Sequence, residues 1–192
     1  CAEATPSAFG PGQLLKIGVV GRNVSARGLH QAILTLVIDT SGSMETADRL
    51  GLARQGLRLL LDQLGMNDRV AIVQYGSHAN LVLEHTPVSE KEKILAALDG
   101  LQTSGSTHLE EGLTLGYNVA ARAFKNGAIN RVLIFSDGVA NLGSANAEDI
   151  LASIADAREK GILCSVFGFG AGTYDDTMLE TLANKGDGTY QF

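Results

Sequence analysis

From residue 33 onward, apolar runs of strand length alternate with segments whose apolar residues recur every three or four positions. The runs at residues 33–38, 70–75, 81–83, 132–135, 163–169 and 189–192 predict strands. Four of them are nearly unbroken apolar stretches, the pattern of strands covered on both faces of a sheet. Between the strands, Leu50, Ala53, Leu57, Leu60, Leu61 and Leu64 trace one helical face that ends at Gly65. Ser89 and Glu92 read as a capping box opening a second helix with Ile94, Leu95 and Leu98. Leu109, Leu113, Tyr117, Ala120 and Phe124 mark a third, stopping at Gly127, and two more are predicted at residues 147–160 and 176–185.

This alternation predicts an α/β fold: a doubly wound, Rossmann-like sheet of six mostly parallel strands with helices on both faces. Gly76, Ser77 and His78 are too few for a crossover helix, so the runs at 70–75 and 81–83 form a hairpin. That places one short antiparallel strand at the sheet edge. Ahead of the regular pattern, residues 1–12 carry Pro6, Gly10, Pro11 and Gly12 and read as an extended arm. Residues 14–20 read as an accessory strand and 21–28 as a loop. The chain therefore divides into an N-terminal arm, 1–32, and an α/β domain, 33–192. No repeat or low-complexity tract interrupts it.

Composition narrows the partners. The chain has 192 residues, enough for one α/β domain with a full core, and a formal net charge of −6. An acidic surface gives no general attraction for nucleic acid or anionic membranes. No apolar run approaches the roughly 20 residues that span a bilayer. The sequence begins at Cys1 without a signal-peptide pattern. Two readings stay open, a cut inside a longer protein, which is preferred, and the lipidated first residue of a mature lipoprotein. The other cysteine, Cys164, lies in an apolar run and reads as a small core residue, not as half of a disulfide or zinc site.

The chemistry concentrates at two strand ends. Asp39 follows LTLVI and Asp137 follows VLIFS. In open α/β sheets ligands sit beyond the carboxyl ends of the strands. A carboxylate there needs a helix N-terminus, a water cluster or a cation. Asp39 opens Asp39-Thr40-Ser41-Gly42-Ser43, a turn whose alternate oxygens can point to one centre, with Gly42 allowing a close backbone. Thr107, in Gly105-Ser106-Thr107 before the third helix, offers another hydroxyl. Singly, these residues also fit an Asx-turn and helix caps. Together they make an all-oxygen set without His or Cys, suited to a hard cation: magnesium (Mg2+), with Mn2+ or Ca2+ as the other ions it would take.

DTSGS at 39–43, Thr107 in SGSTHLEEGL and Asp137 in IFSDG resemble the three loops of the metal-ion-dependent adhesion site of von Willebrand factor type A domains. The resemblance covers residues 33–192, and phrases such as DRVAIVQYG and INRVLIFSDG look closest to a bacterial cell-envelope branch. It implies that Ser41, Ser43 and Thr107 hold the cation through hydroxyls, and Asp39 and Asp137 directly or through water. It further implies a non-enzymatic adhesion or assembly module, in which an Asp or Glu carboxylate from a partner protein completes the coordination. An extracytoplasmic setting follows, in a fragment of a larger protein that does not itself insert into a membrane. The family continues past the last strand into a final helix, so a switch built on that helix is not carried over.

The rival class is a metal-dependent hydrolase or phosphotransferase-like enzyme on the same fold. An Asp39 nucleophile would want a second carboxylate two residues on, where Ser41 stands. Ser41-Gly42-Ser43 lacks the G-x-S-x-G frame, and His30, His78, His85 and His108 show no pairing by spacing. Gly168, Gly170 and Gly172 give only a weak dinucleotide-loop signal, since the first strand turn carries DTSGS. A third reading is a scaffold whose site holds no metal.

Overall fold

The computed structural model describes residues 2–6, 13–17, 30–103, 105–137, 147–169 and 177–191. Cys1, the loop at 21–28, the end of the accessory strand at 18–20, Gly138, Gly170, Gly172, Asp176 and Phe192 lie outside the described residues.

Strands β1 (Ala2–Pro6) and β2 (Gln13–Ile17) pair antiparallel as a two-stranded sheet. Residues 2–6, expected as part of an extended arm, are thus the ladder partner of the accessory strand. The other strands are β3 (Ala32–Asp39), β4 (Arg69–Tyr75), β5 (Ala79–Pro87), β6 (Ile129–Ser136), β7 (Ile162–Gly168) and β8 (Tyr190–Gln191). They form one six-stranded sheet in the order β5-β4-β3-β6-β7-β8. All its pairs are parallel except β4–β5. The fold is the mostly parallel, Rossmann-like sheet with one antiparallel edge strand that the alternation predicts.

That edge strand is nine residues long rather than three. As an edge it buries one face only, so Glu84, His85 and Thr86 continue the ladder without an apolar run.

Helices α1 (Arg49–Gln63), α2 (Lys91–Asp99), α3 (Leu109–Arg122), α4 (Ala147–Glu159) and α5 (Thr177–Lys185) cover the sheet. Because strand side chains alternate in direction, the core divides in two. Val37, Val73, Ile134 and Val166 pack against α3, α4 and α5. Leu36, Ile38, Ile72 and Phe135 pack against α1 and α2. Cys164 is fully buried in the first layer, as a small core residue.

The capping box expected at Ser89 is not formed. A 3-10 turn (Val88–Glu90) precedes α2, whose N-cap is Glu90 with no side-chain cap. The backbone satisfies these groups instead: the Val88 N–H donates to the Asp68 carbonyl at 2.8 Å and the Ser89 N–H to that of Met66 at 3.0 Å. Those bonds pin the β5–α2 connection to the α1–β4 loop and take the Ser89 N–H that Glu92 would accept in a capping box.

Candidate metal centre

Chain order runs outward from β3 to β4 on one side and from β6 to β7 on the other, so the strand order reverses between the parallel neighbours β3 and β6. The carboxyl ends of those two strands carry Asp39 and Asp137, at the switch point where such sheets hold ligands.

Both carboxylates are completely buried, and Ser41 nearly so. Asp39 Oδ1 accepts the Ser41 N–H at 2.8 Å, and Oδ2 accepts the Ser136 hydroxyl at 3.1 Å. Burial pushes the Asp39 carboxyl above its ordinary pKa; hydrogen bonds from Ser41 and Ser136 oppose this, and the nearby Asp137 charge adds to it. Beneath the pair lies Tyr75, fully buried at the end of β4, its phenol held protonated by burial and by the Asp39 charge.

The loops interlock through their backbones. The Thr40 N–H and hydroxyl both donate to the Tyr75 carbonyl, at 2.7 and 3.0 Å. The Gly42 N–H donates to the Gly105 carbonyl at 3.1 Å, and the His108 N–H to the Gly76 carbonyl at 3.0 Å. Gly105 is the glycine this geometry requires. Its φ is +62°, and a Cβ there would lie 1.7 Å from Ser77 Oγ. A Cβ at Gly42 would meet only the Gly105 carbonyl, at an ordinary 3.5 Å, so the close approach expected of Gly42 falls to Gly105.

Ser41 Oγ and Ser43 Oγ lie 3.0 Å apart. Adjacent oxygens around an octahedral Mg2+, bound at about 2.0–2.1 Å each, are separated by about 2.9 Å. Thr107 is not a helix cap: the N-cap of α3 is His108, and no side chain caps the helix. The donor set of hydroxyls and carboxylates therefore fits a hard cation. Among the described residues no group of three or more His, Cys, Asp or Glu could hold a metal, so any ion here depends on the hydroxyls.

Of the five residues singled out by sequence, Asp39, Ser41 and Ser43 form one hydrogen-bonded turn. Asp137 joins them at the neighbouring strand end, and Thr107 is brought to the same rim by its loop's backbone bonds. Three further residues escaped the sequence reading. Ser136 orients Asp39, and Tyr75 floors the site. Arg49, at the first position of α1, donates from Nη1 to Asp137 Oδ2 at 2.6 Å. Spacing carries no trace of a pair 88 positions apart. No local feature marks Arg49 either, because a 3-10 helix (Gly42–Asp48) runs directly into α1 ahead of it.

Outside the buried group, Glu111 accepts the Ala79 N–H at 3.1 Å, which lowers its pKa, and lies 3.5 Å from His108 Nδ1 and 3.9 Å from His78 Nδ1. These three side chains form an exposed rim.

Fold and loops together define the class. The family model of the von Willebrand factor type A domain matches residues 34–192, and the chain belongs to that family. The uncharacterized protein YfbK of Escherichia coli strain K12 is 36% identical over 179 residues, covering 93% of this chain and 31% of that protein. This chain thus spans about a third of that relative's length. An aerotolerance-related membrane protein from Bacteroides fragilis superposes with a TM-score of 0.65 at 21% identity, over 83% of this chain and 90% of that one. Proximal thread matrix protein 1 of the mussel byssus, described with a zinc-occupied MIDAS motif, superposes with a TM-score of 0.67 at 20% identity, over 85% of this chain and 41% of its own. Both structural likenesses speak to the fold.

Proposed function

We propose that this chain is a divalent-cation-dependent protein-binding module whose cation is held by Asp39, Ser41, Ser43, Thr107 and Asp137. The observation that carries the reading is the pair of serine hydroxyls at octahedral spacing beside a buried carboxylate whose pKa burial raises. Ser41, Ser43 and Thr107 supply neutral oxygens, while Asp39, oriented by Ser41 and Ser136, supplies charge from behind them. Mg2+ suits this set, with Mn2+ or Ca2+ able to take its place. When bound, the cation supplies an electrophile for one carboxylate oxygen from an Asp or Glu of the partner.

Binding is a better reading than turnover. Among the described residues, Ser41 and Ser43 bond to each other and to the Asp39 turn, and no His reaches them. A hydrolase or phosphotransferase is therefore not favoured. The likeness to an aerotolerance-related membrane protein supports an envelope setting. No helix among the described residues is long and apolar enough to cross a membrane.

Thermal melting with and without chelator tests the reading. A metal a hundredfold above its dissociation constant stabilises by about 2.7 kcal/mol, or roughly 5–10 °C for a domain of this size. The chelated protein should stay folded, because the two core layers are apolar and do not touch the ion. Unfolding by chelator alone, or a melting temperature unmoved by millimolar Mg2+ and Mn2+, overturns it.

A further inference from the structure

Arg49 takes no part in the donor set, yet its guanidinium reaches two of the segments that carry it. It is 8% exposed, and it meets the fully buried Asp137 at 2.6 Å. The same Nη1 lies 3.4 Å from the Ser43 carbonyl, on the Asp39–Ser43 turn. Arg49 opens α1 directly behind a 3-10 helix (Gly42–Asp48), so no helix-terminal charge preference places it there. The Asp137 carboxylate does. Burying a carboxylate is costly, and the guanidinium offsets that cost at Asp137 as hydrogen bonds from Ser41 and Ser136 do at Asp39.

We propose that Arg49 is a built-in counter-cation of the site. It neutralises Asp137 when no metal is present, and holds metal affinity down in exchange for a loaded site that stays positive. This rests on the metal reading above. The charges decide the matter: two carboxylates alone would cancel a divalent ion, leaving only local attraction for another anion. With the Arg49 guanidinium included, the same site with a divalent ion carries a net positive charge, which draws a partner carboxylate. Like charge also repels the incoming metal, so the arrangement weakens metal binding while strengthening binding of the anionic ligand. An ordinary structural ion pair predicts the opposite sign, since losing it would loosen the loops and weaken the metal.

The test is titration calorimetry with Mn2+ alone on wild type, Arg49→Gln, Arg49→Met and Arg49→Lys. The two neutral variants should bind Mn2+ at least about tenfold more tightly than wild type, while Arg49→Lys, which keeps the charge, stays within about threefold. Without metal the neutral variants should melt below wild type, and saturating Mn2+ should raise their melting temperature by more than it raises that of wild type. Arg49→Met retains an apolar stem to pack the same space, so loss of folding in Arg49→Gln does not end the test. If wild type binds Mn2+ and the folded neutral variants bind it equally or more weakly, the counter-cation role is wrong while the metal reading stands. If neither wild type nor any variant binds Mn2+, the metal reading fails and takes this role with it.

Discussion

The side chains of the site differ in how much structure rests on them, and that decides which substitutions are informative. Asp39 accepts the buried Ser41 N–H and the Ser136 hydroxyl, so Asp39→Ala removes both bonds and should cost about 1–3 kcal/mol even without metal. Ser43 and Thr107 are only half buried, and Thr107 caps nothing. Thr107→Ala should keep the metal-free stability within the range of a surface change, about 0.5 kcal/mol. Ser43→Ala loses its bond to Ser41 and should cost about 0.5–1.5 kcal/mol, and both variants should lose the metal-induced rise. Melting curves of each variant with and without Mn2+ check this; a full metal-induced rise in Thr107→Ala would remove Thr107 from the shell. Asp39, Ser41, Ser43, Thr107 and Asp137 were readable because each lies beside a strand end or helix start, within a short local phrase. Arg49, Ser136 and Tyr75 were not, because what makes them matter is a partner on another strand.

A second residue gives a pH signature away from the site. His85 on β5 lies 3.2 Å from Thr35 Oγ1, and burial, with help from Arg69 and Arg122, lowers its pKa from 6.5 to about 4. The unfolded chain takes up this proton first as pH falls, so the contribution is complete above pH 6.5 and is lost on the way to about pH 4. Wild type should therefore lose more stability than His85→Gln across that window, by about 1–2 kcal/mol once the ring's partial exposure is discounted. Denaturant melts at several pH values decide it; parallel curves would show that His85 is solvated in the folded state.

At the level of elements, α3 controls the floor of the site. A Cβ at Gly112 would lie 2.8 Å from the Tyr75 ring, and one at Gly116 would lie 2.5 Å from Val37 Cγ2. These glycines let α3 sit close on β3 and β4, beneath the loop that carries Thr107. Gly112→Ala should cost about 1–3 kcal/mol by overpacking and also weaken Mn2+ binding, because Tyr75 cannot move without shifting Asp39's surroundings. Calorimetry with Mn2+ checks the coupling, and unchanged affinity in a destabilised variant would show that floor and site are independent. The buried strands were legible because burial on both faces forces continuous apolar runs. The length of β5 was not, since an edge strand needs no such run, and the Ser89–Glu92 box is absent where a tertiary backbone bond takes the Ser89 N–H.

At the level of the whole molecule, a net charge of −6 and the exposed Glu45 and Glu111, with the half-buried Glu110, work against an acidic partner everywhere except at the metal. Binding should need one well-aimed carboxylate and tighten modestly as salt screens the rim. Replacing the partner's acidic residues one at a time by the matching amide should remove most of the metal-dependent affinity at one position. A decline spread in small steps over many positions would contradict a single-carboxylate mechanism.

The most direct measurement is a crystal of the protein soaked in Mn2+ and read by anomalous scattering. The account predicts one strong peak beyond the ends of β3 and β6, within bonding distance of the Ser41, Ser43 and Thr107 hydroxyls, with Asp39 and Asp137 bound directly or through water. No peak at saturating Mn2+, or a peak only at the His78, His108 and Glu111 rim, would contradict it.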